Sequence, residues 1–199
     1  MSGLESGQRI IEGVMTSISS DGIINIAPMG PIVDDAMTTF ILRPFKTSTT
    51  YQNLKATGES VFHVTDDVLL IARGAIGKVE PNDEESCSAI DDAPNVNGVV
   101  LTNACRYFEL KVKSIDDSSD RTHIVAEGIN QQTLRDHFGF NRAQHAVLEA
   151  AILATRLHLT GKGPVLAEFD RLQTPINKTG GQREHQAMDE LRAFVSHHG

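Results

Sequence analysis

Tryptophan is absent from the 199-residue chain, and aromatic residues reach only 5%. Barrels that hold single-stranded nucleic acid stack bases on aromatic platforms along a positive groove. With few platforms and a formal net charge of −8, the chain is expected to bind no nucleic acid. Cysteine is scarce too, with Cys87 and Cys105 alone. Their spacing makes neither a CxxC motif nor a zinc-ligand pair, and a secreted chain of this length more often carries a disulfide framework. Both are expected to be small, half-buried apolar residues in a reducing compartment, the cytoplasm. Residues 1–8 hold no basic patch running into an apolar stretch, so no signal peptide is expected. No apolar run approaches the ~18 residues of a membrane span, and no membrane partner is expected. The HExxH, HxH and GxSxG patterns are missing, which removes the usual carriers of zincin and nucleophile-elbow chemistry. The eight histidines form no metal signature, and His63, in a strand-like run, is expected to be a satisfied core residue. A small anionic ligand is still allowed, because a pocket needs only local positive potential.

What is present is ordinary globular material: 40% hydrophobic and 22% charged residues, enough for one domain with a sizeable core. Short β-branched runs at 10–19, 23–26, 37–42, 60–64, 99–102, 107–115 and 123–129 read as strands, separated by turn residues such as Ser20-Asp21-Gly22 and 116–120. The first pair leads into a Pro/Gly loop at residues 27–31. The run 107–113 alternates as a half-buried strand does. The acidic stretch 81–94 reads as a solvated connection. A short helix is predicted over 49–56, with Gly58 as its stop. After Gln131 the texture turns helical. Asn141 caps an apolar helix over 141–159, with Ala143, Val147, Ala150, Ala154 and Leu157 at helical spacing. An extended segment is predicted over 165–172, then a last amphipathic helix over 181–197. Many short strands with little helix before Thr133 argue for an antiparallel barrel rather than β-α units.

Three stretches could carry chemistry. In Asn25-Ile26-Ala27-Pro28-Met29-Gly30 an amide with donors and an acceptor sits at a strand end, and Gly30 lets backbone approach a ligand. The bland alternative is an ordinary loop. In Arg43-Pro44-Phe45-Lys46-Thr47-Ser48-Thr49-Thr50-Tyr51-Gln52-Asn53 four hydroxyls and two cations meet at a helix start. Free N–H groups and the positive end of the dipole bind phosphate there; plain N-capping needs only one hydroxyl. In Asn177-Lys178-Thr179-Gly180-Gly181 a cation and a hydroxyl again precede a helix, with Thr179 as a capping alternative.

The order of these pieces resembles a known family. Asn25 with Pro28, Thr50-Tyr51-Gln52-Asn53, Val96-Asn97-Gly98-Val99 and Tyr107-Phe108-Glu109-Leu110-Lys111-Val112 follow the pattern of the flavin-reductase-like, FMN-binding split-barrel proteins. Asn141-Arg142-Ala143, Thr155-Arg156-Leu157 and Lys178-Thr179-Gly180-Gly181 are similar to a branch found in archaea and some bacteria. The resemblance implies an α+β, mostly antiparallel fold: a Greek-key-like split β-barrel over about 9–130, and a helical C-terminal extension over about 131–199 packed on it, in one domain 1–199. It implies a homodimer with FMN at the interface. Asn25, Ala27, Pro28, Met29 and Gly30 would lie by the isoalloxazine. Thr47, Ser48, Thr49, Thr50 and Asn53 would hold the phosphate and ribityl chain, with Arg43, Lys46 and Lys178 as cations of the cofactor-binding set. The implied activity is hydride transfer from NADH or NADPH to FMN, which needs no catalytic acid–base residue from the protein. The alternative is a flavin-binding carrier or sensor without turnover.

Overall fold

Gly58 shows how local signals shape this chain. It takes φ +70°, which closes a helix with its N–H on the Leu54 carbonyl. The computed structural model describes residues 7–81, 83, 87 and 89–198, and the chain divides into two units. The first takes Met1–Thr65 and Ser88–Asp136. Its elements in chain order are β1 (Arg9–Ile10), β2 (Gly13–Ile18), β3 (Ile24–Met29), β4 (Ile32–Val33), β5 (Thr39–Leu42), α1 (Thr49–Thr57), β6 (Glu59–Val64), β7 (Ile90–Asp92), β8 (Val99–Leu101), β9 (Arg106–Asp116) and β10 (His123–Thr133).

Eight of the strands form one antiparallel sheet in the order β1-β4-β5-β10-β9-β6-β2-β3. The two ends of that order are one bent hairpin. Gly13 pairs with Met29, the Ile11 N–H reaches the Pro31 carbonyl at 3.2 Å, and Ile10 pairs with Ile32. β4 then pairs with β5 through Ile32 and Ile41. The sheet therefore curls back on itself, while the outer edge of β3 has no strand beside it among the described residues. This is a split barrel. Residues 27–29 continue β3 rather than forming the loop expected around Pro28. An edge strand tolerates a residue that cannot donate to a ladder. Gly13 is required where it stands, since a Cβ there would lie 2.3 Å from the His63 carbonyl oxygen.

Alternation sorts the strands into two faces. Met15, Phe40, Leu42, Phe62, Phe108, Leu110 and Ile124 fill the interior with Tyr51 and Leu54 of α1. The Phe40 ring sits 5.2 Å from Phe108 and 5.8 Å from Phe62, both tilted. On the opposite face Val61 and Tyr107 pack with Val96 and Val100, because the two-stranded β7–β8 sheet covers it. The expected half-buried alternation of 107–113 thus holds only beyond Leu110; residues 107–110 are buried on both sides. Part of the acidic connection 81–94, at 82, 84–86 and 88, lies outside the described residues, as do 1–6. Its end forms β7.

Polar groups in this second layer are matched rather than excluded. Glu109 is fully buried. It accepts the Asn95 backbone N–H and Asn95 Nδ2 at 2.7 Å each, and Asn130 Nδ2 at 2.6 Å. Those three donors replace the water that the carboxylate gave up. The Thr16 hydroxyl donates to the Val99 carbonyl at 2.6 Å. His63 accepts the Leu101 N–H on Nε2 at 3.1 Å and lies 3.2 Å from the Val14 carbonyl through Nδ1. A carbonyl only accepts, so Nδ1 carries the proton and the ring is neutral. It cross-links β2, β6 and β8.

The second unit takes Asp66–Cys87 and His137–Gly199. Its helices are α2 (Val68–Ala75), α3 (Arg142–Thr155), α4 (Leu157–Thr160), α5 (Lys162–Thr179) and α6 (Gln182–His198). α2 has no counterpart among the sequence expectations. Asp67 caps it, accepting the Leu70 N–H, and five consecutive residues from Val68 to Ala72 are buried; so uniformly apolar a run shows no amphipathic period. Arg73 reaches Glu190 through Nε and Nη2, the latter at 2.8 Å. Asn141 caps α3 as expected, accepting the Ala143 and Gln144 N–H groups. That helix stops at Thr155 instead of continuing to 159. The extended segment expected over 165–172 is helix. Pro164 sits in the first turn of α5, where its missing N–H is not needed, and Val165, Phe169 and Ile176 share one fully buried face. Neither Cys87 nor Cys105 forms a disulfide, and both are buried, beyond the half-burial expected of them. Among the described residues no helix is long and apolar enough to cross a membrane.

Burial pushes His63 down to about 4, against a weaker opposing effect of its bond to Val14. The unfolded chain therefore takes a proton near pH 6.5 that the folded chain refuses until about pH 4. Stability should be intact above pH 6.5 and fall by about 3 kcal/mol as pH drops through that window. Urea titrations at pH 7.5 and 4.5 measure this. His63→Gln, which can keep both hydrogen bonds, should lose less stability across the same interval; an identical fall would move the cause elsewhere.

Candidate ligand site at the start of the first helix

Helix α1 begins where Ser48, in extended conformation, turns its hydroxyl to the Tyr51 N–H. The first i→i−4 bond is Gln52 N–H to the Ser48 carbonyl at 3.2 Å. The N–H groups of Thr49 and Thr50 lie ahead of that bond. No acidic residue occupies the first turn, so the positive end of the helix is uncompensated. Thr47 and Thr49 are exposed, and Ser48 and Lys46 are half-buried.

Thr50 and Asn53 face inward. Thr50 is 3% exposed and Asn53 4%, because both point at the β2–β3 hairpin. Asn25 Nδ2 donates to the Thr50 hydroxyl at 3.1 Å and lies 3.4 Å from the Ser17 hydroxyl. Asn53 Nδ2 donates to the same Ser17 oxygen at 3.1 Å. Two amides and two hydroxyls thus form one buried cluster between α1 and the sheet. Ser17 was not among the sequence candidates. Its signal was available: a hydroxyl two residues beyond Met15, on the face that otherwise carries core side chains.

The stretch after Asn25 splits by period two. Ala27 and Met29 lie on the Asn25 side of β3, and Met29 packs against the interior. Pro28 lies on the other side, opposite Val14. Gly30 follows the strand, and a Cβ there would meet the Glu12 carboxylate at 2.8 Å. Lys178 is exposed in the last turn of α5, and α6 begins just beyond it at Gln182, so the stretch precedes the last helix as expected but also ends the helix before it. Thr179 caps nothing; its hydroxyl donates to the Pro175 carbonyl at 2.9 Å.

Two buried side-chain atoms of the described residues have no hydrogen-bond partner, Arg43 Nε and Ser60 Oγ. The first belongs to the segment that leads into α1. A guanidinium with an unmatched buried N–H costs stability unless something accepts from it. The same segment carries Lys46 and the open N–H groups of α1, a set of donors and positive charge that suits an anion.

Residues 11–135 match the family model described as "Protein of unknown function (DUF447) N-terminal domain", and residues 141–193 match "Protein of unknown function (DUF447)". The chain belongs to the DUF447 family. A DUF447 structure from Methanosarcina mazei, described as FMN-bound, superposes with a TM-score of 0.78 at 23% identity, over 93% of this chain and 94% of that one. Flavoredoxin from Methanosarcina acetivorans matches at 0.52 and 11%, over 67% of this chain and 73% of that one. The 2-nitrobenzoate 2-nitroreductase of Pseudomonas fluorescens matches at 0.51 and 17%, over 66% and 68%. At these identities the likeness establishes the fold, and DUF447 members share it with flavin-reductase-like split barrels.

Two substitutions separate scaffold from site. Asn53→Ala removes a buried donor from the cluster and should lower unfolding stability by about 1–3 kcal/mol. Arg43→Met removes a donor that the fold leaves unmatched and should change it by no more than about 0.5 kcal/mol. Chemical denaturation of both variants gives the comparison.

Proposed function

We propose that this protein binds FMN with its phosphate at the start of α1, and that it is a flavin-dependent oxidoreductase taking hydride from NADH or NADPH. The observation that carries the reading is the buried, unpartnered Arg43 Nε in the segment that leads into an uncompensated helix N-terminus. The FMN-bound family member from Methanosarcina mazei supports it.

Each part of the site has a task in this reading. The Thr49 and Thr50 N–H groups and the Arg43 guanidinium meet the phosphate charge, and Lys46 adds local positive potential. The exposed Thr47 and Thr49 hydroxyls hydrogen-bond the phosphate or ribityl oxygens. The Asn25–Ser17–Thr50–Asn53 cluster does not itself reach out. It fixes α1 against β3, so that the phosphate site and the half-buried Ala27 and Met29 face of β3 keep a set separation. Bound FMN supplies the hydride-accepting chemistry, and the chain supplies position and electrostatics. A homodimer with the cofactor at its interface completes the proposal.

Purified protein mixed with FMN and desalted should retain a shifted visible flavin band, and reduced nicotinamide should bleach that band in a stopped-flow mixer. Retention without bleaching by either nicotinamide would leave a carrier or sensor. Arg43→Met should weaken FMN at least tenfold, as loss of a charged hydrogen bond of about 1.5–3 kcal/mol does. Undiminished affinity would place the phosphate elsewhere.

A further inference from the structure

The segment that carries the proposed phosphate contacts, residues 43–51, leaves β5 and starts α1 with few bonds of its own. Ser48 holds the Phe45 carbonyl through both its N–H, at 2.9 Å, and its hydroxyl, at 2.7 Å. Much of what else holds the segment comes from the turn between β9 and β10. The Lys46 N–H donates to the Asp120 carbonyl at 3.0 Å. Thr122 donates to the Pro44 carbonyl from its N–H at 3.0 Å and its hydroxyl at 2.8 Å. Arg121 Nε donates to the Arg43 carbonyl at 3.1 Å, and its guanidinium lies over the Phe45 ring. Asp117 then grips the helix itself: its Oδ2 accepts the Tyr51 hydroxyl at 2.6 Å and Lys55 Nζ at 2.9 Å.

Tyr51 makes this last contact more than a surface ion pair. Its ring is buried in the barrel interior, 4% exposed, while its N–H belongs to the cap of α1. One residue therefore links the core, the helix start and the hairpin tip. Hydrogen bonds from Tyr51 and Lys55 hold the Asp117 carboxyl down to about 2, so the acceptor is ionised throughout the neutral range.

We infer that Asp117, at the tip of the β9–β10 hairpin, is a positioning residue for the phosphate end of the FMN site. The inference rests on the flavin reading above. Asp117 touches no cofactor; it sets, through Tyr51, where the open N–H groups of Thr49 and Thr50 stand. Positioning and charge make opposite demands here. A carboxylate near a phosphate repels it, so an effect through charge alone would tighten FMN binding when Asp117 is neutralised. An effect through position loosens binding when the acceptor is lost, and spares a variant that keeps one.

The test compares two ligands that differ only in the phosphate. Dissociation constants of FMN and riboflavin are measured by flavin fluorescence for the full chain and for Asp117→Ala, Asp117→Asn and Tyr51→Phe. Asp117→Ala and Tyr51→Phe should weaken FMN about tenfold while riboflavin stays within about twofold. Asp117→Asn should remain near wild type. Asp117→Ala with the wild-type ratio of the two affinities, or tighter FMN binding in it, overturns the inference and leaves the flavin reading standing. Wild-type protein that binds neither ligand overturns the flavin reading, and the inference with it. Asp117 lies in an exposed turn, and Tyr51→Phe keeps the buried ring, so a loss of folding in one variant leaves the other to decide.

Discussion

The barrel unit depends on the packing of α1 against the inner face of the β2–β3 hairpin. Ser17 and Asn25 pair across the two strands and carry polar groups on the side that otherwise holds core residues, where a polar group without a partner is costly. Helix α1 covers them. Side chains do the joining: Asn25 to Thr50, and both Asn25 and Asn53 to Ser17. Because these bonds are buried or half-buried, each one left unmade would cost the desolvation of its partner. The position of α1 is therefore fixed closely, and with it the open N–H groups at its start.

The same logic of matched burial builds the outer layer. β7 and β8 bury the second face of β2, β6 and β9, and this puts a histidine, a threonine and a glutamate out of reach of water. Each is satisfied by the layer that covers it: His63 by Leu101, Thr16 by Val99, Glu109 by Asn95 and Asn130. Against that background the bare Arg43 Nε is an exception. Among the described residues it shares that state with Ser60 Oγ alone, and of the two it is the one in the segment that leads into α1.

Much of the candidate site was legible because its signals are local. A hydroxyl cap, a cation directly ahead of a run of hydroxyls and a glycine stop all act within one or two turns. Ser48, Lys46 and Gly58 stand where those rules place them. Ser17 was not legible in the same way. Alternation from Met15 marks it as core-facing, but its meaning comes from Asn53, 36 positions away. Lys178 stands ahead of the last helix as its motif suggests, but the same residues also close α5, whose length no local pattern shows.

The sequence by itself determined the strand-rich barrel, the short helix after the hydroxyl run, the apolar helix capped by Asn141 and the resemblance that led to the flavin reading. These depend on periodicity and capping among near neighbours, which no distant contact needs to supply. Only the tertiary structure decided that residues 27–29 extend an edge strand, that 107–110 are buried on both faces, that 162–179 form one helix despite two prolines, and that Thr50 turns inward while Thr49 turns out. In each case the local sequence allows two states of similar free energy. Burial against residues far along the chain selects between them.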